Sequence, residues 1–286
     1  MASIENYLAP ESVEEATTAL AAGPVTIVAG GTDLMLQCNS GQLSYAPTLM
    51  NVQRISEIRG VSINGGTISI GALTTITDLL TDITIAQHLP VLVDMADKFG
   101  SDQIRNVSTI GGNICNASPA GDSLMPLLMY NAEAVLVSKT RGTSKTRKVD
   151  LGKFFTGPGR TVRSDNELLI GVNIPTPPVG FRGGFRKFGP RPALEIAMAE
   201  VSLGGVLKDT VISDVRVAFG AVAPKPIRGD QTEAALEGKI LDEKTISAAG
   251  EAASNEVAPI SDVRASDWYR RHLIRVMTEE ILADVC

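Results

Sequence analysis

The sequence predicts an α+β protein in two unequal parts, and three observations carry that prediction. Its 286 residues suffice for two modest domains or one large one. The run Pro175-Thr176-Pro177-Pro178 can continue neither helix nor strand, which places a domain boundary there. Beyond it, strand patterns near Phe185, over Ile196–Leu207 and over Val211–Val222 come first and helical patterns follow, the order of an α+β domain.

Each element has a local reason. Ser12 before Val13-Glu14-Glu15 reads as a helix cap, with Glu15 placed to reach back toward the cap's own amide, and Gly23 ends that helix. The β-branched run Val25-Thr26-Ile27-Val28-Ala29 reads as a buried strand that stops at Gly30-Gly31. A second short strand follows over Leu49–Val52. Alternating apolar and polar residues from Val61 to Ile70 around Asn64-Gly65 predict a hairpin. Pro90 to Phe99 reads as a helix with proline in its first turn and Gly100 as its stop. Another helix is expected after Asp122. Strands are expected over Glu133–Lys139 and Lys145–Val149, joined at Arg141-Gly142-Thr143, and over Leu168–Ile174. Ala265–Leu282 carries a helix-period apolar set at Tyr269, Leu273, Val276 and Met277.

Composition removes several function classes. Hydrophobic residues at 44% and charged ones at 20% suit a folded globular chain, not a disordered one. A net charge of −6 argues against an extended basic face for nucleic acid. No run approaches the ~18–20 apolar residues of a membrane span, and MASIENYLAP lacks a signal-peptide pattern, so a cytoplasmic location is expected. Cys38, Cys115 and Cys286 are too few for the four thiolates of an iron–sulfur cluster and suit reduced thiols. His88 and His272 lack neighbours at ligand spacing, so no metal site is expected.

Two glycine pairs carry the chemistry. Ala29-Gly30-Gly31-Thr32-Asp33 follows a strand, and paired glycines let successive amides point at phosphate oxygens while Thr32 adds a hydroxyl. Taken alone, this motif favours a plain tight strand-to-loop turn, because Gly-Gly turns are common. Thr109-Ile110-Gly111-Gly112-Asn113 offers a second such turn, extended by small polar residues to Asp122. Two such loops can clamp one diphosphate. Neither matches Gly-x-Gly-x-x-Gly or the Gly-Lys-Ser/Thr phosphate loop, which demotes nicotinamide dehydrogenases and P-loop nucleotidases.

Together, Val28-Ala29-Gly30-Gly31-Thr32-Asp33-Leu34, Gln103-Ile104-Arg105-Asn106 before Thr109-Ile110-Gly111-Gly112-Asn113, and Ala117-Ser118-Pro119 before Asp122 resemble the flavoprotein (medium) subunits of the xanthine dehydrogenase and carbon monoxide dehydrogenase type, along nearly the whole chain. The resemblance implies a two-subdomain FAD-binding domain of the p-cresol methylhydroxylase-like type over 1–176, divided as 1–58 and 59–176. A C-terminal α+β domain over 177–286, a small antiparallel sheet with helices, would complete the chain. It implies FAD contacts from Val28, Ala29, Gly30, Gly31, Thr32 and Asp33, and from Thr109, Ile110, Gly111, Gly112 and Asn113. Asp122 resembles a ribose-side carboxylate; a helix-capping Asp is the alternative, and the two roles are compatible. Phe99, Gly100 and Ser101, then Leu169 and Lys187, resemble residues beside the flavin; a core Phe99 and a solvated Lys187 are the alternatives.

By that resemblance the chain takes electrons from an iron–sulfur subunit, itself fed by a molybdenum-cofactor subunit, and passes them to an external acceptor. The molybdenum cofactor and the [2Fe-2S] clusters lie on those partners, commonly in a dimer of heterotrimers, and no catalytic residue is assigned here. A self-sufficient flavin oxidase and a non-catalytic nucleotide-binding assembly module are the rival readings.

Overall fold

The computed structural model describes residues 4–191 and 194–285. Cys286, counted above among the thiols, and the first three residues of the amino terminus lie outside the described residues. Three sheets order the chain. Strands Asn6–Leu8, Thr48–Asn51 and Val25–Val28 form a small parallel sheet with Thr48–Asn51 in the middle. Strands Val61–Asn64, Thr67–Gly71, Glu167–Pro175, Glu133–Thr140 and Thr143–Asp150 form a five-stranded antiparallel sheet in that spatial order. The third sheet is antiparallel, running Phe181–Phe188, Ala199–Lys208, Val211–Gly220 and Ile227–Arg228, with Lys239–Ile240 on the far end of Val211–Gly220.

Local chemistry explains many boundaries. Ser12 Oγ accepts from the Glu15 amide at 3.1 Å, as a cap should, but the Glu15 carboxylate reaches the amide of Glu11 and not that of Ser12. The first hairpin turns at Gly65-Gly66, one residue later than the Asn64-Gly65 expected, because Asn64 still pairs with Thr67. Both turn residues have positive φ, 54° and 78°, the geometry a two-residue hairpin prefers, and glycine adopts it without strain. The helix expected from Pro90 ends at Asp97, and the C-terminal helix runs Asp267–Val285. The strand expected from Ile196 enters its sheet only at Ala199. Glu195 turns inward to an ion pair with Lys187, and Met198 donates its amide to Phe188 O at 2.7 Å before the ladder begins.

The core is divided between two clusters. The larger gathers the first helix, the central sheet and the helices that follow it; the second packs Val201, Leu203, Val217 and Phe219 against helices Glu243–Glu256 and Asp267–Val285. Phe185 and Ala218, on the opposite face of the third sheet, belong to the larger cluster. That sheet is therefore covered on both faces, which is why Ala199–Gly205 is buried throughout instead of alternating. Among the described residues no helix is long and apolar enough to cross a membrane.

Candidate functional site

A cleft of about 430 Å³ opens where the parallel sheet meets the central sheet, and both glycine pairs line it. That volume lies within the ~300–1,000 Å³ of small-molecule and cofactor sites. Strand Val25–Val28 delivers the first pair to the cleft wall, and Gln53 Nε2 fixes its outgoing end by donating to Ala29 O at 2.9 Å. Gly31 has φ +73°, a left-handed turn that throws the chain into helix Leu34–Asn39. Among the described residues, the amides of Gly30, Gly31, Thr32 and Asp33 donate to no protein acceptor. Four donors left free beside one another in a turn form an anion-binding concavity.

The second pair differs from expectation. It is not a loop but the first turn of helix Ile110–Asn116, with Thr109 as its cap. Its amides are already used: Ile110 donates to Thr74 O at 3.0 Å, Gly111 to Ala72 O at 2.9 Å, Gly112 to Thr109 Oγ1 at 3.0 Å and Asn113 to Thr109 O at 3.0 Å. The glycines serve close approach instead. A Cβ on Gly111 would stand 2.7 Å from that of Ala72, so only glycine lets the helix start lie against the strand end. What this element turns to the cleft is the helix N-terminus, the Thr109 hydroxyl and the Asn113 amide, whose oxygen accepts from Ser123 Oγ at 2.7 Å.

Cross-links hold the two walls in register. Thr32 Oγ1 and Ser108 Oγ lie 3.1 Å apart, and Gln37 Nε2 donates to Asn116 Oδ1 at 2.8 Å. Leu168 and Leu169, both nearly buried, join Ile58, Leu73 and Phe99 as the apolar part of the lining. Asp33 and Arg163 are its charged members among the described residues. Asp33 stays exposed as a residue, yet the cleft walls partly bury its carboxyl and push its pKa up. Arg163 is tethered, its Nη1 donating to Ser164 O at 3.1 Å and Glu167 O at 2.8 Å.

Of the residues singled out from the sequence, Val28, Ala29, Gly30, Gly31, Thr32, Asp33, Phe99, Thr109, Gly111, Gly112, Asn113 and Leu169 line this cleft. Ile110 is fully buried beneath it. Gly100 and Ser101 lie off the lining, Ser101 capping helix Asp102–Arg105 through the Ile104 amide. Asp122 and Lys187 are brought together, but to each other: Nζ sits 2.7 Å from Asp122 Oδ2 and both side chains are buried. Neither alternative reading of this pair holds, since Asp122 caps no helix and Lys187 is not solvated. Gln37, Ser108, Asn116, Gly159 and Arg163 also line the cleft and were not singled out. Ser108 and Asn116 adjoin the second motif; nothing local marks Gln37, Gly159 or Arg163.

Free amides for a diphosphate, a helix N-terminus opposite, and an apolar wall for a ring system fit a dinucleotide cofactor of the FAD type. The chain matches two family descriptions in tandem: "FAD binding domain in molybdopterin dehydrogenase" over residues 2–177 and "CO dehydrogenase flavoprotein C-terminal domain" over 185–285. This chain belongs to the FAD-binding subunits of the xanthine dehydrogenase and carbon monoxide dehydrogenase family, and FAD is its cofactor.

Named relatives agree in extent. The putative xanthine dehydrogenase FAD-binding subunit of Escherichia coli is 33% identical, the alignment covering 99% of this chain and 97% of the relative. The glyceraldehyde dehydrogenase medium chain of Sulfolobus acidocaldarius is 31% identical over 98% of each. Among solved structures, carbon monoxide dehydrogenase from Hydrogenophaga pseudoflava superposes with a TM-score of 0.93 at 27% identity, covering 100% of this chain and 99% of that one. Quinoline 2-oxidoreductase from Pseudomonas putida gives a TM-score of 0.90 at 27% identity, with 98% and 96% covered.

Proposed function

We propose that the chain holds FAD in this cleft as the electron-transfer subunit of a molybdenum hydroxylase, with the pyrophosphate on the free amides of Gly30 to Asp33. Those four unpartnered donors are the observation that carries the reading. Thr109 and Asn113 complete the grip from the opposite wall, while Leu168, Leu169 and Phe99 exclude water from the ring. Bound FAD supplies the redox chemistry, accepting electrons from an iron–sulfur partner subunit and yielding them to an external acceptor. The substrate is oxidised on a further, molybdenum-cofactor subunit, and the assembly is a cytoplasmic dimer of heterotrimers. Residues 1–176 form the FAD domain and 177–286 the smaller C-terminal domain.

Support comes from the relatives' own descriptions, which include a putative xanthine dehydrogenase FAD-binding subunit and the medium chains of a glyceraldehyde dehydrogenase and a carbon monoxide dehydrogenase. The test mixes the purified subunit with substrate anaerobically, with and without its partners, and follows bleaching of the flavin. Bleaching only in the reconstituted complex is expected. Bleaching of the lone subunit would make it a self-sufficient oxidase, and absence of any bound flavin would leave only a nucleotide-binding module.

A further inference from the structure

Glu200 is fully buried, and neither of its carboxyl oxygens has a donor partner among the described residues. A carboxylate in that condition is strongly disfavoured, so its surroundings decide its state. Strand register places Glu200 directly opposite Lys187 on one side and Gly220 on the other. The carboxyl lies over Gly220, where a Cβ would also stand 2.8 Å from Met125 Sδ, so the pocket is closed to water by its own neighbours. A further polar neighbour is the Asp122 carboxyl, whose proximity helps to push the Glu200 carboxyl up. Two carboxyl groups cannot hydrogen-bond to one another unless one carries a proton.

Charge counting gives the same answer. Lys187 Nζ lies 2.7 Å from Asp122 Oδ2 and 3.6 Å from Glu195 Oε1, so one ammonium already faces two carboxylates before Glu200 is considered. Facing Glu200 are therefore Asp122 from the loop before helix Leu124–Met129, Lys187 from the adjacent strand, and Glu195 from the segment leading into its own strand, with uncharged Gly220 and Met125 closing the rest.

We propose that Glu200 is a protonated carboxylic acid in the folded protein at neutral pH, donating to the Asp122 carboxylate as a positioning residue for the Asp122–Lys187 pair. Burial pushes the Glu200 carboxyl well up, and the Asp122 charge and hydrogen bond add to it. For Lys187 burial acts downward, but the carboxylates facing it, Asp122 first, outweigh it and its pKa is raised. The acid pins Asp122 from the third sheet while Lys187 holds its Oδ2, tying the loop after the second glycine motif to the C-terminal sheet. Lys187 Nζ also lies 3.4 Å from the carbonyl of Lys98, next to the cleft-lining Phe99. A proton on Glu200 thus keeps one negative charge away from the site of an anionic cofactor. The positioning role rests on the proposed FAD site, which Asp122 and Lys187 do not line but reach through the loop after the second glycine motif and through Lys98, next to Phe99.

The test is infrared spectroscopy on the full chain carrying FAD, grown with ¹³C-labelled glutamate, near pH 8 for wild type and Glu200→Gln. A protonated-carboxyl stretch, isotope-shifted in wild type and missing from the variant, is expected. Its absence from wild type overturns the proposal, while bound-flavin absorbance reports separately whether the FAD reading stands. Positioning is read from affinity. Glu200→Gln, which keeps a donor toward Asp122, should bind FAD within about twofold of wild type, whereas Glu200→Ala should lose roughly tenfold or more, as removal of a hydrogen bond to a charged group does. Equal affinity and an unchanged pH profile of FAD binding in folded Glu200→Ala would show that Glu200 positions nothing.

Discussion

Gly30 and Val107 face each other so closely that a Cβ on the glycine would stand 2.7 Å from the valine carbonyl carbon, inside van der Waals contact. This contact draws the free-amide turn against the segment that enters the second glycine motif, with the Thr32–Ser108 hydroxyl pair beside it. Both walls of the cleft are set by it.

Replacing Gly30 by alanine should therefore separate the walls, costing about 1–3 kcal/mol of stability as overpacking does and leaving the protein poor in flavin. Gly112→Ala is the contrast, because its Cβ would meet only Thr109 Oγ1, at 2.9 Å. Thermal unfolding and visible flavin absorbance check both variants. Wild-type flavin content in Gly30→Ala would refute the role given to the contact.

Thr109→Ala removes the cap of helix Ile110–Asn116 and leaves the Gly112 amide without its acceptor. A loss of about 0.5–2 kcal/mol is expected, and Thr109→Ser should restore most of it. Denaturant titration of the three proteins measures the difference; equal midpoints for alanine and threonine would contradict it.

Arg163 and Asp33 should act on FAD affinity with opposite signs, since they are the charged lining of the cleft among the described residues. Arg163→Leu should weaken binding and flatten its salt dependence, whereas Asp33→Asn should tighten it by removing a charge that repels the pyrophosphate. Equilibrium FAD titrations at low and high salt distinguish these from a shared structural loss, in which both variants would weaken.

Stability should also carry a pH signature of the buried cluster. Glu200 has a raised folded pKa, so its contribution is complete below the ordinary glutamate value of about 4.3 and is lost as pH climbs toward the folded value. Glu200→Gln should accordingly gain on wild type as pH rises from about 4. Lys187 also has a raised folded pKa, so its contribution holds below about 10.4 and disappears as pH rises through the folded value. Lys187→Met should flatten that alkaline limb while costing about 3–5 kcal/mol at neutral pH, because the buried Asp122 carboxylate loses its cation. Melting temperatures from pH 4 to 11 follow both limbs.

By itself the sequence determined what depends on near neighbours. Turn chemistry placed the hairpin after Val61, the Ser12 cap, the stop at Gly30-Gly31 and the break at Pro175–Pro178, because these follow from backbone preferences of a few consecutive residues. It also marked both glycine pairs, whose missing Cβ atoms matter wherever the chain must turn or approach closely. Only the tertiary structure decided how the pairs divide the work. The second became a helix start whose amides are satisfied by Thr74, Ala72 and Thr109, so the free donors lie in the first alone. Gln37 meets Asn116, and Asp122 meets Lys187 and Glu200, through strand register and helix packing between residues far apart in the chain. No local pattern encodes such meetings, because burial, steric fit and charge compensation act on whatever folding brings together.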